Sequence, residues 1–114
     1  MSVDEEKEVL EKLIQKFRKK IDEDESVEEK MKDFERDIQV DFESGNHYNL
    51  SLEESEVSDI DEGPLEDSDI TIATDVETLD DLLEEEIGAM QAYASNKIKV
   101  DASLSDMLKF KKLL

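Results

Sequence analysis

Residues Thr78 to Leu113 read TLDDLLEEEIGAMQAYASNKIKVDASLSDMLKFKKL, and the order of signals within them decides the fold. Leu79, Leu82, Leu83 and Ile87, with Val76 just upstream, recur at helical spacing, and Gly88 ends the pattern. Ala89 to Ala94 can add a further short helix, and Ser95-Asn96 marks a turn. Ile98, Val100 and Ala102 then alternate with Lys97, Lys99 and Asp101 as a half-buried strand does. Ser103 with Asp106 three residues later resembles a helix N-cap. Leu104, Met107, Leu108, Phe110, Leu113 and Leu114 give the last helix a wide apolar face, with lysines late, where the helix dipole favours cations.

Working upstream, Thr74 with Glu77 has capping-box spacing for the helix that begins near Val76. Before it, Ile70 and Ile72 alternate with Asp69, Thr71 and Ala73, Gly63-Pro64 marks a turn, and Val57 to Asp61 reads as a weaker strand. Ile38, Val40 and Phe42 alternate against Asp37, Gln39, Asp41 and Glu43. Tyr48, Leu50 and Leu52 repeat the pattern after the turn residues Ser44-Gly45-Asn46, which predicts a hairpin. These four strands read as an antiparallel meander with one wet face. Val9, Leu10, Leu13, Ile14, Phe17 and Ile21 form one apolar stripe, which predicts a helix from about Asp4 to Ile21. Ser26 with Glu29 predicts a short second helix ending near Lys32. Helices must cover one sheet face. The expected fold is therefore α+β: a single domain over residues 1–114 with a five-stranded, mostly antiparallel sheet and helices packed on one face.

Charge narrows the functional classes. The chain has 34 acidic and 14 basic residues, a formal net charge of -20. Neither Lys nor Arg occurs between Asp37 and Asn96, whereas Lys97, Lys99, Lys109, Lys111 and Lys112 face only Asp101 and Asp106 near the C-terminus, a net of +3. An anionic body repels phosphates, so no nucleic-acid partner is expected, and an anionic decoy for a nucleic-acid-binding protein follows from charge alone. Twelve lysines against two arginines fit poorly with an extreme halophile. Cysteine is absent, which removes thiolate chemistry, disulfides and Cys-based zinc sites. The acidic N-terminus lacks the pattern of a secretory signal, and no apolar run approaches a membrane span, so a cytoplasmic location is expected. Asp59, Asp61, Glu62, Glu66, Asp67 and Asp69 fall out of register with a calcium loop, so no metal is expected. His47, the one histidine, lies beside a turn with no nucleophile apparent nearby, and no cofactor or catalytic residue is expected.

The run Ala92-Tyr93-Ala94-Ser95-Asn96-Lys97-Ile98-Lys99-Val100, with Asp101 and the helix from Leu104 to Leu114, resembles the sterol carrier protein 2 family. In that family a polar helix precedes a small-residue segment, an A-aromatic-x-x-G-K-h-K-h element and a final apolar helix. The upstream elements Ile38-Gln39-Val40, Tyr48-Asn49-Leu50 and Asp69-Ile70-Thr71-Ile72 fall in the family's order. Asn96 stands where the family usually has Gly, and Asn is the next best residue for a left-handed turn. The usual Asn-Pro after Gly88 is missing. The resemblance implies a non-enzymatic lipid-binding or transfer module: a sheet and helices enclosing an apolar cavity for a fatty acyl, sterol-like or isoprenoid ligand.

On that basis the candidate ligand-binding residues are Leu50, Ile72, Leu79, Leu83, Met90, Tyr93, Ile98, Val100, Leu104, Met107 and Leu108. Flexible methionine thioethers suit varied apolar ligands. The competing interpretation is that these side chains simply fill a core, leaving a protein-interaction or homodimerisation module. The terminal helix is a candidate lid or transient membrane contact through Lys109, Lys111 and Lys112, with a solvated lysine edge as the alternative. Lys16, Arg18, Lys19 and Lys20 form a second basic cluster that can balance neighbouring acids.

Overall fold

The computed structural model describes residues 3–111, without the side chains of Val3, Ala89, Met90, Phe110 and Lys111. The expectations for Lys112, Leu113 and Leu114, and for the Met90, Phe110 and Lys111 side chains, lie outside the described residues. In chain order the elements are α1 (Val3–Glu23), α2 (Glu25–Met31), β1 (Arg36–Phe42), β2 (His47–Glu53), β3 (Glu56–Val57), β4 (Asp61–Glu62), β5 (Ile70–Thr74), α3 (Val76–Leu83), α4 (Ala89–Ala94), β6 (Lys99–Asp101) and α5 (Leu104–Lys111).

The expected α+β architecture is present, with two corrections to the sheet. It has six strands, ordered β3-β2-β1-β5-β6, with β4 also on β2. The weak strand expected over Val57 to Asp61 is split into β3, which pairs with Leu52 and Glu53, and β4, which pairs with Tyr48 and Asn49. The four-strand meander does not occur, because β5 runs parallel to β1 with Ile38 opposite Ile70 and Val40 opposite Ile72. The physical reason is edge occupancy. β3 and β4 fill the outer edge of β2, so the next apolar strand joins the free edge of β1. Alternation then keeps its isoleucines on the inner face. β6 closes the other side antiparallel, with Val100 opposite Ile72.

The helix ends are set by local hydrogen bonds. Asp24, two residues before the expected Ser26, caps α2 by accepting from the Ser26 N–H and hydroxyl. Asp75 rather than Thr74 caps α3, accepting from the Thr78 N–H at 2.7 Å, while the Thr74 hydroxyl donates to the Lys97 carbonyl. A carboxylate is the stronger acceptor where two capping residues compete. The capping expected at Ser103 is found, its hydroxyl accepting from the Asp106 N–H at 3.1 Å.

α3 stops at Leu83, short of Gly88, because Glu85 takes a left-handed conformation with φ 60°. The Glu86 N–H bonds the Asp81 carbonyl and the Glu85 N–H bonds the Leu82 carbonyl, the paired pattern of a Schellman cap. The same cap ends α4, with Asn96 left-handed at φ 60°, Lys97 N–H on the Ala92 carbonyl and Asn96 N–H on the Tyr93 carbonyl.

All of the apolar stripe of α1 from Val9 to Ile21 is buried, as are Val27 and Met31 of α2 and Leu79 and Leu82 of α3. They cover the sheet face that carries Ile38, Val40, Tyr48, Leu50, Ile70 and Ile72. The opposite face presents Gln39, Asp41, Asn49, Ser51 and Thr71, all half-buried. Among the described residues, no helix is long and apolar enough to cross a membrane.

Candidate functional site

The family resemblance implies an apolar ligand between sheet and helices, and the structure divides the eleven candidate residues. Leu50, Ile72, Leu79 and Ile98 belong to one contiguous buried cluster, with Leu83 and Val100 packed partly buried against it. Met107 is half-buried. Tyr93, Leu104 and Leu108 are instead 46%, 74% and 57% exposed. Leu50, Ile72, Leu79 and Ile98 keep 5% or less of their surface, so in this arrangement neighbouring side chains already cover them. Ligand carbons could reach them only if part of the helical layer moves outward.

One edge of the layer is fastened by a buried carboxylate. Glu6, in the first turn of α1, is wholly buried. It accepts hydrogen bonds from the Tyr48 hydroxyl at 2.9 Å, the Asn46 amide at 2.8 Å and the Ser44 hydroxyl. All three donors come from β2 or the turn that leads into it. Burial alone would push the Glu6 carboxyl up, but the three donors outweigh it and hold the carboxyl below its ordinary range. Burial, and then the bond to Glu6, push the Tyr48 phenol up to about 12. Sequence reasoning missed Glu6, although a signal for it exists. Glu6 continues the stripe of Leu10 and Leu13 by steps of four and three, and a buried Tyr hydroxyl needs a partner.

A second polar fastening lies under α5. The Asp106 carboxylate, only 10% exposed, takes the Arg36 Nε–H at 2.9 Å. The Arg36 guanidinium sits 4.7 Å from the ring centroid of Phe34, and the Lys109 ammonium sits 5.1 Å from the same ring. Phe34 belongs to the buried core. The carboxylate at hydrogen-bond distance, and the charge of Asp69 beyond it, hold Arg36 above its ordinary basicity. Among the described side chains of α5, an acid and a lysine make these contacts, and Met107 is half-buried. Leu104 and Leu108, four apart and therefore on one face, point to solvent.

The other sites are less suited to an apolar ligand. An open groove of about 860 Å³ runs between α1 and the end of α3, and it is charged. There Lys12 donates to Asp80 at 2.7 Å and Glu84 at 3.0 Å, which makes its ammonium more basic than usual, and Lys16 reaches the Leu83 carbonyl. Two cations of the second basic cluster, Lys16 and Arg18, are engaged, Arg18 by the Val57 carbonyl at 2.9 Å and Asp59 at 3.3 Å. His47 is exposed on the open sheet face, its Nδ1 2.6 Å from Asp41.

A sequence model of the SCP-2 sterol transfer family matches residues 14–114. The chain belongs to that family. No curated protein matches it in sequence. Among solved structures, sterol carrier protein 2 like 2 from Aedes aegypti superposes with TM-score 0.63 at 14% identity over 93% of this chain and 96% of that one. The palmitated form of the mosquito protein superposes with TM-score 0.65 at 16% identity over 99% and 94%. The stereoselective inverting sec-alkylsulfatase Pisa1 from a Pseudomonas species also superposes, with TM-score 0.64 at 19% identity over 76% of this chain. This chain covers only 14% of the length of that enzyme. At these identities the superpositions establish a shared fold. The SCP-2 tail element beginning at Ala92 is the α4 cap and β6, and Asn96 occupies its left-handed position.

Proposed function

We propose that this SCP-2 family member binds, and passes on, a lipid or similar hydrophobic ligand held between sheet and helices, without catalysis. The family match over residues 14–114 carries this conclusion. The apolar inner layer and the superposition on a palmitated relative support it. Leu50, Ile72, Leu79, Leu83, Ile98, Val100 and Met107 are the proposed lining. Leu104 and Leu108 then form an outer ridge for contact with an anionic lipid surface, because they lie exposed in the net-positive C-terminal segment of an acidic chain.

The test is displacement of the fluorescent polyene cis-parinaric acid by saturated fatty acids of 12, 14 and 16 carbons. Each CH₂ removed from water contributes about 0.8 kcal/mol, so a two-carbon step should tighten binding by up to about fifteenfold. Absence of probe binding, or displacement independent of chain length, refutes the proposal. The near-complete burial of Leu50, Ile72, Leu79 and Ile98 favours a second interpretation, an interaction module whose core is permanently filled. In that case the probe does not bind and the protein self-associates in sedimentation.

A further inference from the structure

Resting on that proposed function, the remaining question is which element opens, since Leu50, Ile72, Leu79 and Ile98 are covered in the arrangement observed. α1 is the least suited to move. It packs its whole apolar stripe into the core and is tied to β2 through Glu6 and to α3 through Lys12. α3 has Leu79 and Leu82 buried. α5 differs from both in that, among its described side chains, Met107 is only half-buried, the contacts with Phe34 and Arg36 are made by the charged groups of Lys109 and Asp106, and two leucines are exposed. Returning buried apolar surface to water costs free energy wherever the helix goes. A charged group that becomes solvated as its helix leaves can exchange its partner for water, salt or a phosphate at a smaller cost.

We propose that Arg36 and Asp106, seated on Phe34 and flanked by Lys109, form an ionic latch that holds α5 shut over this end of the core. Release of the latch is the step that admits and discharges ligand. Arg36 is 34% exposed at its side chain, so an incoming lipid phosphate or carboxylate can replace Asp106 as its partner without first reaching the interior. Lys109, at 5.1 Å from Phe34, leaves with the helix. The outward set of Leu104 and Leu108 puts an apolar ridge against a lipid surface while the latch is still closed.

The isosteric variant Asp106→Asn, the charge-removing variant Arg36→Gln, and the double variant test this by two independent measurements. Hydrogen exchange of the peptide 104–111 is followed against that of β1, and release of cis-parinaric acid is followed by stopped flow. The expected result is about tenfold faster exchange in 104–111 with β1 unchanged, about tenfold faster release, and a double variant no faster than either single one, since both break the same pair. Unchanged exchange in 104–111, equal acceleration in β1, or additive effects in the double variant overturn the latch. If the wild-type chain does not bind the probe, the proposed function falls. The exchange measurement still decides whether the pair fastens α5.

Discussion

Replacing Glu6 by Ala removes the acceptor shared by three donors, and the structure allows the cost to be worked out. Tyr48 is 2% exposed, so its hydroxyl is left without acceptor or water, a penalty of about 1–3 kcal/mol. Ser44 and Asn46 are exposed and recover hydrogen bonds from solvent, so their loss adds about 1 kcal/mol in all. Relief from burying a carboxylate offsets part of this, and the vacated space adds to it. The net expectation is a loss of about 2–4 kcal/mol, or about 8–15 °C in Tm for a chain of this length. Urea denaturation of Glu6→Ala, Tyr48→Phe and the double variant gives the assay. The double variant should be more stable than the sum of the single effects by at least about 1 kcal/mol, because removing both partners leaves no orphan. A Glu6→Ala loss below about 0.5 kcal/mol, or strict additivity, would refute the assignment of Glu6 as the clasp between α1 and β2.

The same clasp sets a pH dependence. The folded Glu6 carboxyl lies below its unfolded value near 4.5, so its contribution is complete above that pH. The contribution is lost as pH falls through the lower folded value. Acid titration by circular dichroism should show a stability loss below about pH 4.5 that is smaller in Glu6→Gln. Equal acid sensitivity in the two proteins counts against this. Glu85→Gly should stabilise by about 0.5–1 kcal/mol in urea denaturation, because a left-handed position at the end of α3 favours glycine and the ion pair given up, with Lys16 at 3.8 Å, is exposed on the Glu85 side. Asn96→Ala, at the equivalent position of the α4 cap, should instead cost about 0.5–1 kcal/mol, and Asn96→Gly should be neutral or better. An unchanged Tm for Asn96→Ala would contradict the left-handed cap.

Periodicity and turn signals exposed most of the fold, including the β1–β2 hairpin, but not the partner of β5. α1, β1, β2 and β5 stand where the alternations of Val9 to Ile21, Ile38 to Phe42, Tyr48 to Leu52 and Ile70 to Ile72 predict them. A two-residue period says which face a strand buries, and nothing about its neighbour. The parallel partnership of β5 with β1 was therefore invisible. Cap positions shifted by one or two residues because Asp24 and Asp75 stand beside Ser26 and Thr74, and sequence alone does not rank adjacent acceptors. Helix α3 ends earlier than its apolar stripe predicts because nothing about Glu85 announces a left-handed residue. The tail was legible down to Asn96, since turn, strand and cap signals there agree. The two polar fastenings were not. Glu6 is one acid among 34, and Arg36 meets Asp106 across 70 residues of chain.

Lipid carriage is tested most directly by native mass spectrometry of the protein as purified, followed by organic extraction and a second spectrum after delipidation and reloading with palmitate. The expected result is a discrete mass increment of one lipid per chain, removed by extraction, restored by palmitate, and accompanied by a rise in thermal stability. A chain that carries no lipid as purified, takes up none on reloading and shows no thermal shift would contradict it.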